Sequence, residues 1–74
     1  MTLNTWIKIK YGTQGKFNDS LGLAQNTVNR WYNHNPKQFL LYIPKLSRET
    51  DTSYDDLCKM IEDRIADVKL LENA

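Results

Sequence analysis

The sequence predicts an all-α fold, and three observations carry that prediction. Apolar residues recur at spacings of three and four along most of the chain. The runs they form are bounded by residues suited to helix ends, chiefly Thr, Ser, Asn and Gly. No stretch alternates like a strand without also fitting a helix. Seventy-four residues suffice for one small domain spanning 1–74. A core of that size is marginal, so close helix packing or dimerisation is expected to support it.

The elements follow in order. Leu3, Trp6, Ile7 and Ile9 to Tyr11 form a short helical stripe that stops at Gly12. The alternation of Trp6, Lys8 and Lys10 with Ile7, Ile9 and Tyr11 also fits a strand, and both readings stay open. Thr13 opens a second helix, its hydroxyl placed to accept the N–H of Gly15 or Lys16. Phe17 and Leu21 share one face, and Gly22 ends the element. Gln25 to Tyr32 reads as a third helix with Val28 and Trp31 inward. Asn33-His34-Asn35-Pro36 is a loop dense in turn residues. Residues 38–43 fit either a strand or helical turns that start from Asn35 as N-cap and Pro36 at the first position. Pro44 places a helix at about 44–50. Thr52-Ser53 caps a last helix at about 53–71, with Asp55 and Asp56 in its first turn. Its apolar stripe is Leu57, Ile61, Ile65 and Val68, flanked by the pairs Asp55–Lys59 and Lys59–Asp63.

Composition excludes several function classes. The single cysteine, Cys58, excludes an internal disulfide framework and a cysteine-based zinc cage. No apolar run approaches the roughly 18–20 residues of a membrane span. The N-terminal stretch lacks the charged-then-apolar pattern of a signal peptide, so a cytoplasmic protein is expected. A multi-domain enzyme with its own cofactor fold does not fit this length.

The net charge of +1 conceals a division. Residues 1–45 carry Lys8, Lys10, Lys16, Arg30, Lys37 and Lys45 against Asp19 alone. Residues 46–74 carry four basic residues against eight acids, most of them on the last predicted helix. One part of the surface is therefore suited to phosphates and another is not.

The most informative segment runs from Gly12 to Trp31. Two short helices, the first opened by Gln14, flank a turn containing Gly22, with apolar residues at Phe17, Leu21, Leu23, Val28 and Trp31. This pattern resembles the helix-turn-helix of the lambdoid phage repressor and Cro family, here over about residues 13–32. Ile43-Pro-Lys-Leu46 and Thr52-Ser-Tyr-Asp-Asp-Leu57 resemble the fourth helix and the start of the fifth in that family. The resemblance covers about residues 3–60 and implies a five-helix lambda-repressor-like DNA-binding domain with an extended C-terminal helix. Two positions depart from the pattern. Asn18 stands where the family usually has a small residue, and its amide needs a partner or solvent. Ala24 stands where Ser or Thr commonly caps the recognition helix, forfeiting roughly 1 kcal/mol of capping.

The resemblance implies that the third helix enters the major groove. Its outward residues are then Gln25, Asn26, Asn29 and Arg30, with Thr27 beside them. Gln and Asn can pair bidentately with adenine and Arg with guanine. Thr13 and Gln14, at the start of the second helix, are expected to meet phosphates, joined by Lys16, Asn33, His34, Lys37 and Gln38. One recognition helix makes too few contacts for a unique site, so a homodimer on a pseudo-palindromic operator is implied. The long last helix is the expected dimer element, through Ile61, Ile65, Val68 and Leu71, with the residues beyond about Arg64 favoured because part of the stripe must cover the core.

The resulting expectation is a Cro-like repressor acting by operator occupancy in a bacterial host cell, with no second oligomerisation domain. Its partner is double-stranded DNA, with no membrane, small-molecule substrate, cofactor or metal. Two alternatives stand beside it. One is a small helical protein-interaction module of antirepressor type, docking through the acidic last helix. The other is an architectural or recombination-directing DNA-binding factor. Catalysis is not expected. His34 has no second histidine, Cys58 adjoins an apolar stripe, and Asp55, Asp56, Asp63 and Asp67 suit a helix start and a solvated face. The aromatic residues recur at helical spacing, as core residues do. Gly12-Thr-Gln-Gly15 lacks the length and ending of a phosphate loop.

Overall fold

The first helix shows how the chain marks its own boundaries. In the computed structural model, which describes residues 1–73, Thr2 caps α1 (Leu3–Tyr11) by accepting the Thr5 N–H at 3.1 Å. Gly12, at φ +90°, ends it and returns its N–H to Lys8 O. Leu3, Trp6 and Ile7 face the core while Ile9 stays exposed, which resolves the helix–strand ambiguity of this segment in favour of helix. Thr13 Oγ1 accepts the Lys16 N–H at 3.1 Å to start α2 (Gln14–Ser20), as its sequence predicts.

After the turn at Gly22, α3 spans Thr27–His34. It begins two residues later than the sequence predicts. Asn26, the residue before it, adopts the left-handed conformation (φ +68°, ψ +8°), which asparagine tolerates better than most residues. Residues 36–42 are neither a strand nor a regular α-helix but a 3₁₀ segment, Pro36–Tyr42, running directly into α4 (Ile43–Thr50). Pro36 and Pro44 each sit in the first turn of their element, where no helical partner awaits the missing N–H. The 3₁₀ segment turns Phe39 fully inward and leaves Leu41 outward. Asp51, left-handed at φ +54°, ends α4. Ser53 Oγ then accepts the Asp56 N–H at 3.1 Å and caps α5 (Tyr54–Glu72).

The architecture is all-helical, five α-helices and one 3₁₀ segment with no strand among the described residues. One apolar cluster joins the elements. At its centre Phe17 of α2 meets Trp6 and Tyr11 of α1 at ring-centroid distances of 5.9 and 4.8 Å, and Phe39 of the 3₁₀ segment at 5.9 Å. Trp31 of α3 packs edge-on against Phe39 at 5.6 Å. This chain of rings ties the first three helices to the segment beneath α3. Such pairs add about 0.5–1.5 kcal/mol each to the stabilisation from burial alone.

Leu57, Met60 and Ile61 of α5 close the core from the other side, with Val68 buried further along the same helix. Ile61 is fully buried and Val68 is 4% exposed. Polar ties complement the packing. Trp6 Nε1 donates to Thr52 Oγ1 at 3.1 Å, and Lys45 Nζ donates to Ser20 O at 3.0 Å, at the carbonyl end of α2 where a positive charge is favourable. Cys58 is half-buried against the core. Among the described residues no helix is long and apolar enough to cross a membrane.

Candidate nucleic-acid interface

The α2–α3 corner is held by a side chain whose partner the sequence does not reveal. Asn18, in the middle of α2, is 5% exposed. Its Nδ2 donates to Leu23 O and Ala24 O, both at 3.1 Å. Its Oδ1 accepts the Val28 N–H at 2.8 Å. That N–H belongs to the first turn of α3, which has no partner of its own within the helix. The side chain of Asn26, the N-cap residue, makes no capping bond. Asn18 therefore performs from across the corner the capping that Ala24 cannot supply.

Thr27 completes the turn. It is 7% exposed, its Oγ1 donates to Ala24 O at 2.7 Å, and the same oxygen accepts from Arg30 Nη2 at 3.3 Å. Thr27, named with the base-reading residues, has its hydroxyl engaged inside the turn, unlike its exposed neighbours. Gln25 and Asn26 are displaced from their predicted setting. They lie in the turn ahead of α3 rather than in its first turn, and both are exposed. Asn29 and Arg30 are exposed on α3 itself.

These residues border a cleft of about 560 Å³ between α2 and α3, lined by Gln14, Gly15, Asn18, Asp19, Gln25, Asn26 and Asn29. Across it, Asn29 Nδ2 donates to Gln14 Oε1 at 3.3 Å. One turn along α3, Asn33 Nδ2 donates to Asn29 O at 2.9 Å and approaches Asn29 Oδ1 at 3.3 Å. The amides of Gln14, Asn29 and Asn33 thus form one oriented row along the exposed side of the corner. Asp19 brings to this cleft the sole acid of the N-terminal half, a location that composition does not reveal.

The predicted phosphate contacts divide into two groups. Thr13, Gln14 and Lys16 lie at the start of α2, where the Thr13 hydroxyl is engaged as a cap. Asn33, His34, Lys37 and Gln38 lie at or beyond the far end of α3. His34 and Lys37 border a shallow hollow with Ile65, Val68 and Lys69 of α5. All but Gln14 and Gln38, which are half-buried, are exposed.

The predicted dimer stripe is corrected in part. Ile61 and Val68 are consumed by the core of a single chain, and Ile65 packs partly against it. Leu71 is 68% exposed, and its neighbour Leu70 is equally open. A helix in contact with a core on one side must turn positions such as i, i+4 and i+11 inward, and Ile61 and Val68 lie four and eleven residues beyond Leu57.

Sequence reasoning also missed Arg64. Its Nε donates to Tyr32 O at 2.8 Å and its guanidinium lies 3.9 Å from the Tyr32 ring centroid. On α5 it reads as one more charge between acids, and only the tertiary fold places it against α3. Among the described residues no three His, Cys, Asp or Glu side chains gather as a metal site. Neither a family model, nor a curated protein, nor a solved structure shows significant similarity to this chain.

Proposed function

We propose that the protein is a sequence-specific double-stranded DNA-binding regulator of Cro type, reading the major groove with the exposed side of α3 and its preceding turn. On this reading its five helices form a lambda-repressor-like domain. The observation that carries the proposal is the set of Gln25, Asn26, Asn29 and Arg30, exposed around a corner that Asn18 locks from within. Amides and a guanidinium are the side chains that match adenine and guanine edges in the major groove. A base-reading element has to be held rigidly, because a register error of about 1 Å forfeits bidentate pairing. The charge division supports the same orientation, since Lys16, Arg30 and Lys37 lie in the basic half and most acids lie on α5.

The protein then acts as a homodimer on a pseudo-palindromic operator, with Leu71 and the adjoining end of α5 as the apolar surface left for the partner copy. Operator occupancy is sufficient for repression. Selection from random duplexes, followed by titration of the enriched site at two salt concentrations, tests this. An enriched palindrome bound well above non-specific duplex is the expected result. Weak, salt-sensitive binding with no enrichment would overturn it.

A second reading draws on a different observation. The exposed acids Asp55, Glu62, Asp63, Asp67 and Glu72 share α5 with the exposed Leu70 and Leu71, a surface suited to a basic, apolar protein segment. A protein-docking module of this kind would be indifferent to changes at Gln25 and Arg30, which separates the two readings.

A further inference from the structure

The last turn of α3 leaves a carbonyl whose partner comes from another element. Within a continuing helix the Tyr32 carbonyl would accept the N–H of residue 36, but residue 36 is proline and has none. The Asn35 N–H is already engaged by Trp31 O at 2.8 Å. The donor comes instead from α5, where Arg64 Nε meets Tyr32 O at 2.8 Å. The same guanidinium covers the Tyr32 ring at 3.9 Å, so it is held by two kinds of contact at once. A cation at this position also opposes the negative end of the α3 dipole. Asp63 and Asp67 border the same crevice as Arg64 and Tyr32, yet neither forms an ion pair with Arg64 within 4 Å. The guanidinium is directed to α3.

We infer that Arg64 is a positioning residue for base reading, fixing the C-terminal half of α3 and thereby the setting of Asn29, Arg30 and Asn33 against DNA. This inference rests on the proposed DNA-binding function. Asn18 clamps the first turn of α3 through Val28 and Arg64 clamps the last through Tyr32, so the helix is held at both ends from two different elements. Releasing the second clamp leaves the exposed side chains present and α3 still seated by Trp31 on Phe39, but removes the polar contact that fixes its last turn. Non-specific binding tolerates that loss because it depends on charge. Base discrimination does not, because it depends on register.

The test compares wild type with Arg64→Met and Arg64→Lys on the selected operator and on non-specific duplex, at a temperature where each variant retains full helical circular dichroism. R64M is expected to lower the specific-to-non-specific affinity ratio roughly tenfold, the loss of one charge-assisted hydrogen bond, with the non-specific affinity almost unchanged. R64K retains a donor and a charge and is expected to recover most of the ratio. An unchanged ratio in R64M would overturn the role of Arg64 while leaving the DNA-binding reading intact. A wild type that enriches no sequence would overturn that reading and this inference together. A second readout needs no variant. The Arg64 Nε–H should exchange with solvent far more slowly than the exposed Arg48 side chain, free and on operator DNA. Exchange as fast as that of Arg48 in the complex would overturn the role even if R64M does not fold.

Discussion

Asn18 Oδ1 accepts the Val28 N–H at 2.8 Å across the α2–α3 corner, while the other end of the same amide holds Leu23 O and Ala24 O. One side chain thus satisfies a helix start and two turn carbonyls, and it does so from a buried position where water cannot substitute. Asn18→Ala should destabilise the protein by about 2–4 kcal/mol, combining a lost cap with polar groups left unpaired. Urea denaturation followed by circular dichroism measures it. Asn18→Asp should be no better at neutral pH, because its carboxylate would face two carbonyl oxygens. A loss below about 1 kcal/mol for Asn18→Ala would show that the corner is held by apolar packing alone.

Gly22 makes a separable contribution. Its φ of +68° is unfavourable for residues with a Cβ, yet a Cβ built there meets nothing within 4 Å. Gly22→Ala should therefore cost about 1–2 kcal/mol through backbone strain, without a clash. Gly22→Asn should recover part of the loss, since asparagine tolerates the left-handed region. Thermal melts of the two variants side by side test the order.

How far the sequence could foretell this arrangement depends on the range of the interactions involved. The caps at Thr13 and Ser53 and the stop at Gly12 are local, and each is legible from the neighbouring residues. Asn18 is not, because its partners lie five to ten residues away and a polar residue on a short helix ordinarily faces solvent. The same applies to the start of α3. Asn26 reads as a first-turn residue until the left-handed backbone that it adopts is known. Thr27 looks like an outward hydroxyl until Ala24 O is found 2.7 Å from it. The periodicity of α5 identifies its apolar face and leaves the part before Arg64 to the core, but it does not show how far the core extends, so the burial of Val68 is not legible. Residues 38–43 are ambiguous because apolar residues crowd a segment, bounded by Pro36 and Pro44, that is too short for a period to emerge.

Trp6 is 2% exposed, and its indole N–H reaches Thr52 Oγ1 at 3.1 Å in the loop before α5. Thr52 in turn lies 2.8 Å from Thr50 Oγ1, whose hydroxyl donates to Leu46 O. Thr52→Val preserves shape and removes the acceptor, leaving a buried donor unpaired. The expected loss is about 1–3 kcal/mol. Tryptophan fluorescence should report a changed Trp6 environment in the native baseline. An unchanged midpoint in urea would mean that the indole finds another acceptor.

Tyr11 gives the protein an alkaline sensitivity. Burial raises the pKa of its phenol above the ordinary value, and the Glu49 charge and the hydrogen bond to Glu49 Oε2 at 3.3 Å raise it further, against a smaller opposing effect of Ser20. A raised folded-state pKa means that the neutral phenol is favoured in the native state. The corresponding stability is fully present below the unfolded-state value of about 10 and is lost as pH rises through the folded-state value. Urea midpoints should therefore fall on the alkaline side of about pH 10. Tyr11→Phe should remove this group's part of the slope, and Glu49→Gln should reduce it. A Tyr11→Phe slope identical to wild type would assign the alkaline loss elsewhere.

The DNA-binding reading makes its sharpest prediction in the division between base-reading and charge-supplying residues. Gln25, Asn29 and Arg30 are exposed beside or on α3 and should each carry about 1–3 kcal/mol of discrimination at one position of the half-site. Replacing any of them by alanine should relax preference there and leave the salt dependence nearly unchanged, apart from the phosphate share of Arg30. Lys16→Ala and Lys37→Ala should weaken every sequence alike and reduce the salt slope by about one each. Thr27→Ala provides an internal control that the fold makes possible. Its hydroxyl is bonded inside the turn, so its loss should lower the melting temperature while leaving the selected sequence the same except at the position read by Arg30, whose Nη2 donates to that hydroxyl. Parallel selections with the six variants, each titrated at two salt concentrations, read all of these at once. If Thr27→Ala alters the selected bases while Gln25→Ala and Arg30→Ala do not, the groove would have to be met by a different side of α3 from the one proposed.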